Sequence, residues 1–382
     1  MFEFALTPAQ RELRDGVRAF AKAEVLPVSA QSAAERSLPQ SVADAWHATG
    51  YPSAYYAAPD EGSTLVTDGA IISEELGYVD AAFASYLMLP AFFNRLLLSY
   101  LSGEPLTKLK DSLAAGHVVT SFAASERAAG SDFTALAVSA EQQDDCSYLL
   151  NGRKEYSTNL RYAKQTIVVA RTSADLMGGL TWFLVPMDSA GVTIGDRWET
   201  LGLRALDVSP MELKDVVVPE NHRIGETGKG ISMFNQHLAK SRTGIAAMAV
   251  GIARRARDVV MDFGLHRRVY GDKLTKMQDY RFRIVEMEKE IAAARGLVAL
   301  SAQKADAGLD HAKEASLAKL YAGEMVMRVT AEAVLMLGSA GYTGQTVVDK
   351  LMGDARHVAI VEGPEPIHKE IVFATMLRRG GY

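Results

Sequence analysis

The sequence predicts an α+β protein of three parts: a helical N-terminal domain over residues 1–117, a middle antiparallel β domain (barrel or sandwich) over 118–229, and a C-terminal four-helix bundle over 230–382. Three observations predict this order. Apolar residues recur at helical spacing through the first third. From about residue 117 to 220, short segments rich in β-branched and aromatic residues replace that pattern, punctuated by Gly, Asn, Asp and Ser. Long helical periodicity returns after Gly230.

The first helix is marked by its start. Thr7 is a candidate N-cap, Pro8 stands at the first helical position, and Gln10 completes a capping-box spacing. Leu13, Val17, Phe20 and Val25 then share one face. Further helices are expected around 66–78, 80–101 and 105–115. In the middle part "YLLNGRKEYST", "QTIVVART", "LTWFLVPM" and "MELKDVVVPE" read as strands. In the last part Ile284, Met287, Ile291 and Val298 line one face of a long helix. The segments 231–265, 276–306, 312–340 and 366–378 supply the four helices of the bundle.

Composition bounds the function. With 382 residues, 48% hydrophobic and 23% charged, the chain has the make-up of an ordinary globular protein. A formal charge of -5 leaves no broad basic footprint, so nucleic acid is not expected as the main partner. No run of about 18 uninterrupted apolar residues occurs, so no membrane span is expected. The opening "MFEFALTPAQRE" has no basic segment followed by an apolar one, so no signal peptide is expected. The lone Cys146 has no partner for an internal disulfide and no companions for a cysteine-rich metal site. It lies in "EQQDDCSY", a surface-loop composition, and a reducing, cytoplasmic location is expected.

Four stretches carry chemistry-bearing residues. "SFAASERAAGSDFTA" has small residues from Ala123 to Ser131 that let the backbone approach a flat ligand, with Ser125 and Ser131 as hydroxyl donors; a polar turn between strands reads the same way. "NGRKEYSTN" puts Tyr156 and Thr158 on one face of a strand. "LHRRVYGDKLTKMQDY" carries Arg267 and Arg268, Tyr270, Gly271 and Gln278; the arginines suit a phosphate or, equally, the C-terminal dipole of their own helix. "HVAIVEGPEPIHKE" contains Glu362. From the residues alone, Glu362 is either a base or an acid at a helix start, worth roughly 0.3–1 kcal/mol there. Glu365 is placed to serve the latter purpose too.

Taken in order, these stretches resemble the acyl-CoA dehydrogenases, flavin enzymes that desaturate acyl thioesters, over essentially the whole chain. "SERAAGSD" (125–132) is similar to the family's flavin-contacting Thr-Glu-Pro-x-Ala-Gly-Ser-Asp, and "YSTN" (156–159) to its aromatic-x-Thr-Asn strand. "GLRALDVSPMELKDVVVPE" matches a Gly-x-Arg turn followed by a strand ending Val-x-Val-Pro. "RRVYG" and "LMLGSAGY" match the two segments that reach a neighbouring subunit's cofactor, and "DARHVAIVEGP" the segment that brings in the catalytic glutamate.

The resemblance implies FAD lying between the β domain and the bundle. Phe122, Ala124, Ser125, Ser131, Tyr156, Thr158, Arg267, Tyr270, Gln278, Leu335 and Ser339 would contact the cofactor. Ser131, Arg242, Val361 and Gly363 would lie beside the substrate, with Arg242 structural or substrate-side. Glu362 would be the base that takes the α-proton. Ser241, just before Arg242, occupies the position where some relatives keep their glutamate, and it has no such chemistry. The implied reaction makes a trans-2-enoyl thioester of CoA or of a carrier protein and passes electrons to an electron-transfer flavoprotein. The implied assembly is a homodimer or homotetramer.

The sequence departs from the family at Leu335 (usually Gln), Ser339 (usually Gly), Arg127 (usually Pro), Pro364 (usually Thr) and Pro366 (usually Gln), which alters the outer cofactor contacts. Val361 replaces a frequent aromatic. An oxidase or monooxygenase of the same fold, or a non-catalytic scaffold, are the competing expectations.

Overall fold

Thr7 caps the first helix as its sequence predicts. Its hydroxyl accepts from the Gln10 N–H at 3.2 Å, and the Gln10 side chain accepts from the Thr7 N–H at 3.1 Å. In this computed structural model, residues 6–57, 64–116 and 118–380 are described. The expected boundary at residue 117 lies outside them.

The N-terminal helices are α1 (Pro8–Phe20), α2 (Leu26–Glu35), α3 (Gln40–Ala48), α4 (Tyr51–Ala57), α5 (Leu65–Val79), α6 (Ala81–Tyr100) and α7 (Gly103–Ala115). The start of α5 is capped from far along the chain: the Val66 and Thr67 N–H groups donate to Asp306 at 2.8 and 3.0 Å. Two otherwise orphaned donors are thereby satisfied. By length and composition α6 could cross a membrane, but 72% of its apolar window is buried inside the fold, as befits a core helix.

The middle domain is a sheet of β1 (Thr120–Ala123), β2 (Ser139–Gln142), β3 (Tyr148–Thr158), β4 (Gln165–Arg171), β5 (Leu180–Pro186), β6 (Val192–Ile194), β7 (Val208–Val218) and β8 (Arg223–Ile224). Its order is β6-β7-β3-β2-β4-β5-β8, with β1 beside β4. The pairing is antiparallel as expected except against β4, where β1 and the end of β2 run parallel. A parallel pair needs a long crossover, and residues 124–164 provide it. Leu150, Val168, Phe183, Met211 and Val216 form the core of this domain.

In the C-terminal domain, α8 (Gly230–His266) leads through a two-stranded ribbon, β9 (Arg268–Val269) and β10 (Asp272–Lys273), into α9 (Gln278–Asp306) and α10 (Ala312–Leu337). Gly338, at φ +59°, ends α10, so Ser339 opens a separate short turn, α11 (Ser339–Tyr342), and the expected helix 312–340 stops early. Then come α12 (Val348–Ile360) and α13 (Glu365–Gly380). The sequence-based bundle needs one correction. Its fourth inner helix is α12, which buries Val348, Leu351, Ala355 and Val358. By contrast α13 leaves Phe373, Met376 and Leu377 exposed. The α12 segment escapes a periodicity reading because its inward face also carries Gly353, Asp354 and Lys350.

Those charges join the three domains. Lys350 Nζ lies 2.6 Å from Asp354 and 3.2 Å from Asp80, whose carboxylates are 1% and 0% exposed as residues. Asp80 also accepts from the Ala82 N–H at 2.8 Å, capping α6, and from the Ser29 hydroxyl of α2. Asp354 accepts from the Leu203 N–H of the middle domain at 2.7 Å. Beside it, Gly202 meets α12 backbone to backbone; a Cβ there would sit 2.1 Å from the Gly353 carbonyl oxygen. Burial alone would lower the Lys350 pKa, but the two aspartates outweigh it and raise it, so the ammonium stays charged. Removing one partner strands a buried charge, so Lys350→Met is expected to cost about 3–5 kcal/mol in urea unfolding. A loss below about 1 kcal/mol would show that the cluster is not a structural tie.

Candidate active site

The end of α12 sets the position of Glu362. Val361 is extended, Glu362 takes φ +56° and Gly363 φ +109° before Pro364 leads into α13. A left-handed glutamate costs on the order of 1 kcal/mol, so packing must hold it there. A Cβ on Gly363 would press on Ile367 at 3.2 Å, which explains a glycine at this turn.

This turn sends the Glu362 side chain back to α8, not onto α13. The Ser241 hydroxyl donates to Oε1, while Oε2 is buried with no hydrogen-bond partner among the described residues. Arg242 Nε donates to the Glu362 carbonyl at 3.2 Å, so this arginine holds the turn that presents Glu362. At the start of α13, Glu365 pairs with Lys369 and the Ile367 N–H bonds the Pro364 carbonyl at 3.0 Å. The Glu362 carboxylate thus bonds α8, while at the start of α13 the acid present is Glu365.

Lys319 of α10, 1% exposed, faces the same cluster, together with Arg242, His357 and His368. Burial pushes the Glu362 carboxyl above its ordinary range; the Ser241 hydrogen bond and the Arg242 and Lys319 charges pull it part of the way back. Burial also lowers Lys319 to about 8, with Glu362 resisting. His368 falls to about 3, through burial and then the Lys319 and Arg242 charges, and His357 to about 4, through burial and then Lys319. Both rings are neutral at neutral pH. His368 Nε2 is 2.8 Å from the Gly363 carbonyl and donates to it. The result is a carboxylate with one oxygen fixed and the other dry and free, an arrangement suited to accepting a proton from carbon. Lys319 went unnoticed in the sequence because it sits among Ala315, Ala318 and Ala322, where helical spacing reads only as core.

The expected cofactor residues of the β domain run side by side. Ser121 Oγ donates to the Thr158 carbonyl at 2.6 Å, the Glu155 N–H donates to the Ser125 carbonyl at 2.9 Å, and Lys154 Nζ donates to the Ala124 carbonyl at 2.9 Å. The Phe122 ring stacks on Phe93 at 5.0 Å and meets Trp182 and Phe234 edge-on, so it forms an aromatic floor. Tyr156 is 55% exposed beside Trp198. The hydroxyls of Ser125, Ser131, Tyr156 and Thr158 make no hydrogen bond among the described residues. Unbonded hydroxyls on the strands next to an aromatic residue suit a flat ring with polar edges. Arg267, Tyr270 and Gln278 lie exposed at the α8–α9 connection, with Tyr270 99% exposed; Leu335 and Ser339 are exposed at the end of α10. Among the described residues, no hydrogen bond or ring contact joins these five to Glu362 or to the 122–158 stretch.

A cavity of about 70 Å³ opens between α5, α6 and α8, with Ser241 in its wall. Most of its lining is apolar, and it adjoins Glu362 through that serine.

The sequence matches three family descriptions in order: "Acyl-CoA dehydrogenase, N-terminal domain" over residues 7–109, "middle domain" over 121–216 and "C-terminal domain" over 228–377. The mitochondrial short-chain specific acyl-CoA dehydrogenase of Mus musculus is 30% identical over 378 residues, covering 98% of this chain and 91% of that one. The butyryl-CoA dehydrogenase of Megasphaera elsdenii superposes with a TM-score of 0.93 at 28% identity, covering 99% and 100% of the two chains. A chain solved in work on the electron transferring flavoprotein of Acidaminococcus fermentans superposes at 0.92 with 26% identity, covering 99% and 100%.

Because the Lys319 charge favours the ionised carboxylate, Lys319→Met is expected to raise the Glu362 pKa further. Carbon-13 NMR titration of labelled glutamate side chains would read this; an unmoved titration would remove Lys319 from the electrostatics of the site.

Proposed function

The chain belongs to the acyl-CoA dehydrogenase family, and from that premise we propose that it is an FAD-dependent α,β-dehydrogenase of acyl thioesters with Glu362 as its base. The observation that carries this reading is the free, buried Oε2 of Glu362 beside an apolar cavity. A proton α to a thioester carbonyl is only weakly acidic, so its removal needs a base of raised pKa and a donor for the developing enolate oxygen. Burial supplies the first in Glu362. Its own backbone N–H, which makes no hydrogen bond among the described residues, can supply the second. Ser241 and Arg242 fix the carboxylate and its carbonyl, so the base is positioned before substrate arrives.

The family is FAD-dependent, and here Ser125, Ser131, Tyr156 and Thr158 would hold FAD, which would supply the acceptor for the β-hydrogen as hydride. Exposed Arg267, Tyr270, Gln278, Leu335 and Ser339 support cofactor contacts between subunits, and hence a homodimer or homotetramer. The leucine and the prolines at 364 and 366 offer fewer polar side chains there than relatives have. The product is the trans-2-enoyl thioester of CoA or of a carrier protein, and the electron acceptor is a flavoprotein of the electron-transfer type. An exposed, single Cys146 supports a reducing, cytoplasmic setting.

Purified protein reconstituted with FAD should be yellow and should bleach anaerobically on adding its acyl thioester. Glu362→Gln should keep the flavin absorbance and lose bleaching by about 10³-fold or more. Bleaching at the wild-type rate would show that another group is the base, and rapid air re-oxidation with peroxide would favour an oxidase. Light scattering should give at least a dimer when FAD is fully bound; a fully loaded monomer would contradict the intersubunit contacts.

A further inference from the structure

A second cavity, of about 400 Å³, lies between the join of α1 and α2, the end of α5 and the middle of α8, and the dehydrogenase reading makes no use of it. Along α8, Arg254 in its wall stands about 20 Å beyond Ser241 at the rise of a helix, so the cavity is separate from the Glu362 site. We propose that it binds a small phosphate monoester of about mononucleotide size. Lys22 and Arg255 would hold the phosphate, and Tyr78, Leu26 and Val79 would line the organic part.

The charges of the wall do not cancel. Arg18, Lys22, Arg254 and Arg255 share it with only Glu75 and Asp258. Both carboxylates are already satisfied. Glu75 accepts from Arg18 at 2.7 and 3.0 Å and from Arg254 at 2.9 Å. Asp258 accepts from the Tyr78 hydroxyl at 2.9 Å and from Arg257, which is outside the wall, at 2.9 and 2.6 Å. By contrast, the side chains of Lys22 and Arg255 have no carboxylate and no hydrogen-bond acceptor among the described residues. Arg255 is half-buried, with its guanidinium 5.4 Å from the centre of the Tyr78 ring. The Arg254 guanidinium approaches the same ring at 5.1 Å. Two like charges therefore share one ring, and one of them lacks a counter-ion. A phosphate dianion between Arg255 and Lys22 would supply it. The Arg18–Glu75–Arg254 pairing fixes the rest of the wall beforehand, so binding orders few side chains. The cavity is larger than a bare phosphate needs, and its aromatic and aliphatic residues suit a base or sugar.

Binding tests this without turnover. Calorimetry on FAD-loaded protein would use AMP, UMP, glucose 6-phosphate, inorganic phosphate and adenosine. At least one of the three monoesters should bind once per chain with a Kd of about 1 mM or tighter, and about tenfold or more tighter than inorganic phosphate or adenosine. Arg255→Gln should weaken that monoester by about tenfold or more and Lys22→Gln by about threefold or more, both with the flavin absorbance of the wild type. Lys22 is exposed, so its variant keeps the test decisive if Arg255→Gln loses its flavin. No monoester binding at about 1 mM, binding no tighter than that of inorganic phosphate or adenosine, or an affinity unmoved by the substitutions would overturn the inference. Each of those results leaves the dehydrogenase reading intact, because neither Glu362 nor the flavin takes part in this site.

Discussion

The buried Asp80–Lys350–Asp354 cluster is the constraint on which the rest of this molecule depends. It ties α2 and α6 of the N-terminal domain, the Leu203 loop of the sheet domain and α12 of the bundle at one point. Two carboxylates around one ammonium carry a large desolvation penalty, and it is offset because each of their oxygens has a donor. Such a cluster tolerates little displacement, so it fixes the height and rotation of α12 against both other domains. Glu362 follows α12 by two residues, and its direction is inherited from that helix. A surface ion pair would have had neither the strength nor the rigidity to transmit position in this way.

The site adds a second electrostatic balance. Glu362 is the acid at the meeting point of α8, α10, α12 and α13, faced by Arg242 and Lys319 and by two histidines held neutral through burial. Desolvation drives its pKa up, toward the range of a useful base. The Ser241 hydrogen bond and the Arg242 and Lys319 charges act against that rise. The left-handed backbone at Glu362 is the local strain accepted to turn the carboxylate toward α8 and away from α13. Packing supports that strain: His368 holds the Gly363 carbonyl and Arg242 the Glu362 carbonyl. The neighbouring cavity stays apolar, so the charge of the site is concentrated where a proton has to move.

What could be read without coordinates was local or ordered. Thr7, Pro8 and Gln10 announced a helix start because capping depends on residues three positions apart. The three-part order was legible because periods of 3.6 and 2 are properties of a few consecutive turns. Six short stretches in sequence order identified the family and singled out Glu362. Helix α12 was illegible because its inward face carries charges that are acceptable only when Asp80 and Leu203 arrive from elsewhere. Lys319 was hidden for the same reason, as was the cap that Asp306 places on α5 from 239 residues away.

The sequence by itself therefore determined the element types, their order and the family, and it singled out Glu362 as the candidate base. Tertiary structure alone decided that Glu362 faces Ser241 across 121 residues, that Lys319 and Arg242 tune it, and that an apolar cavity opens beside it. The physical reason is range. Propensity, capping and periodicity act between near neighbours, whereas desolvation, buried charge pairing and free volume exist only where distant segments close around a point.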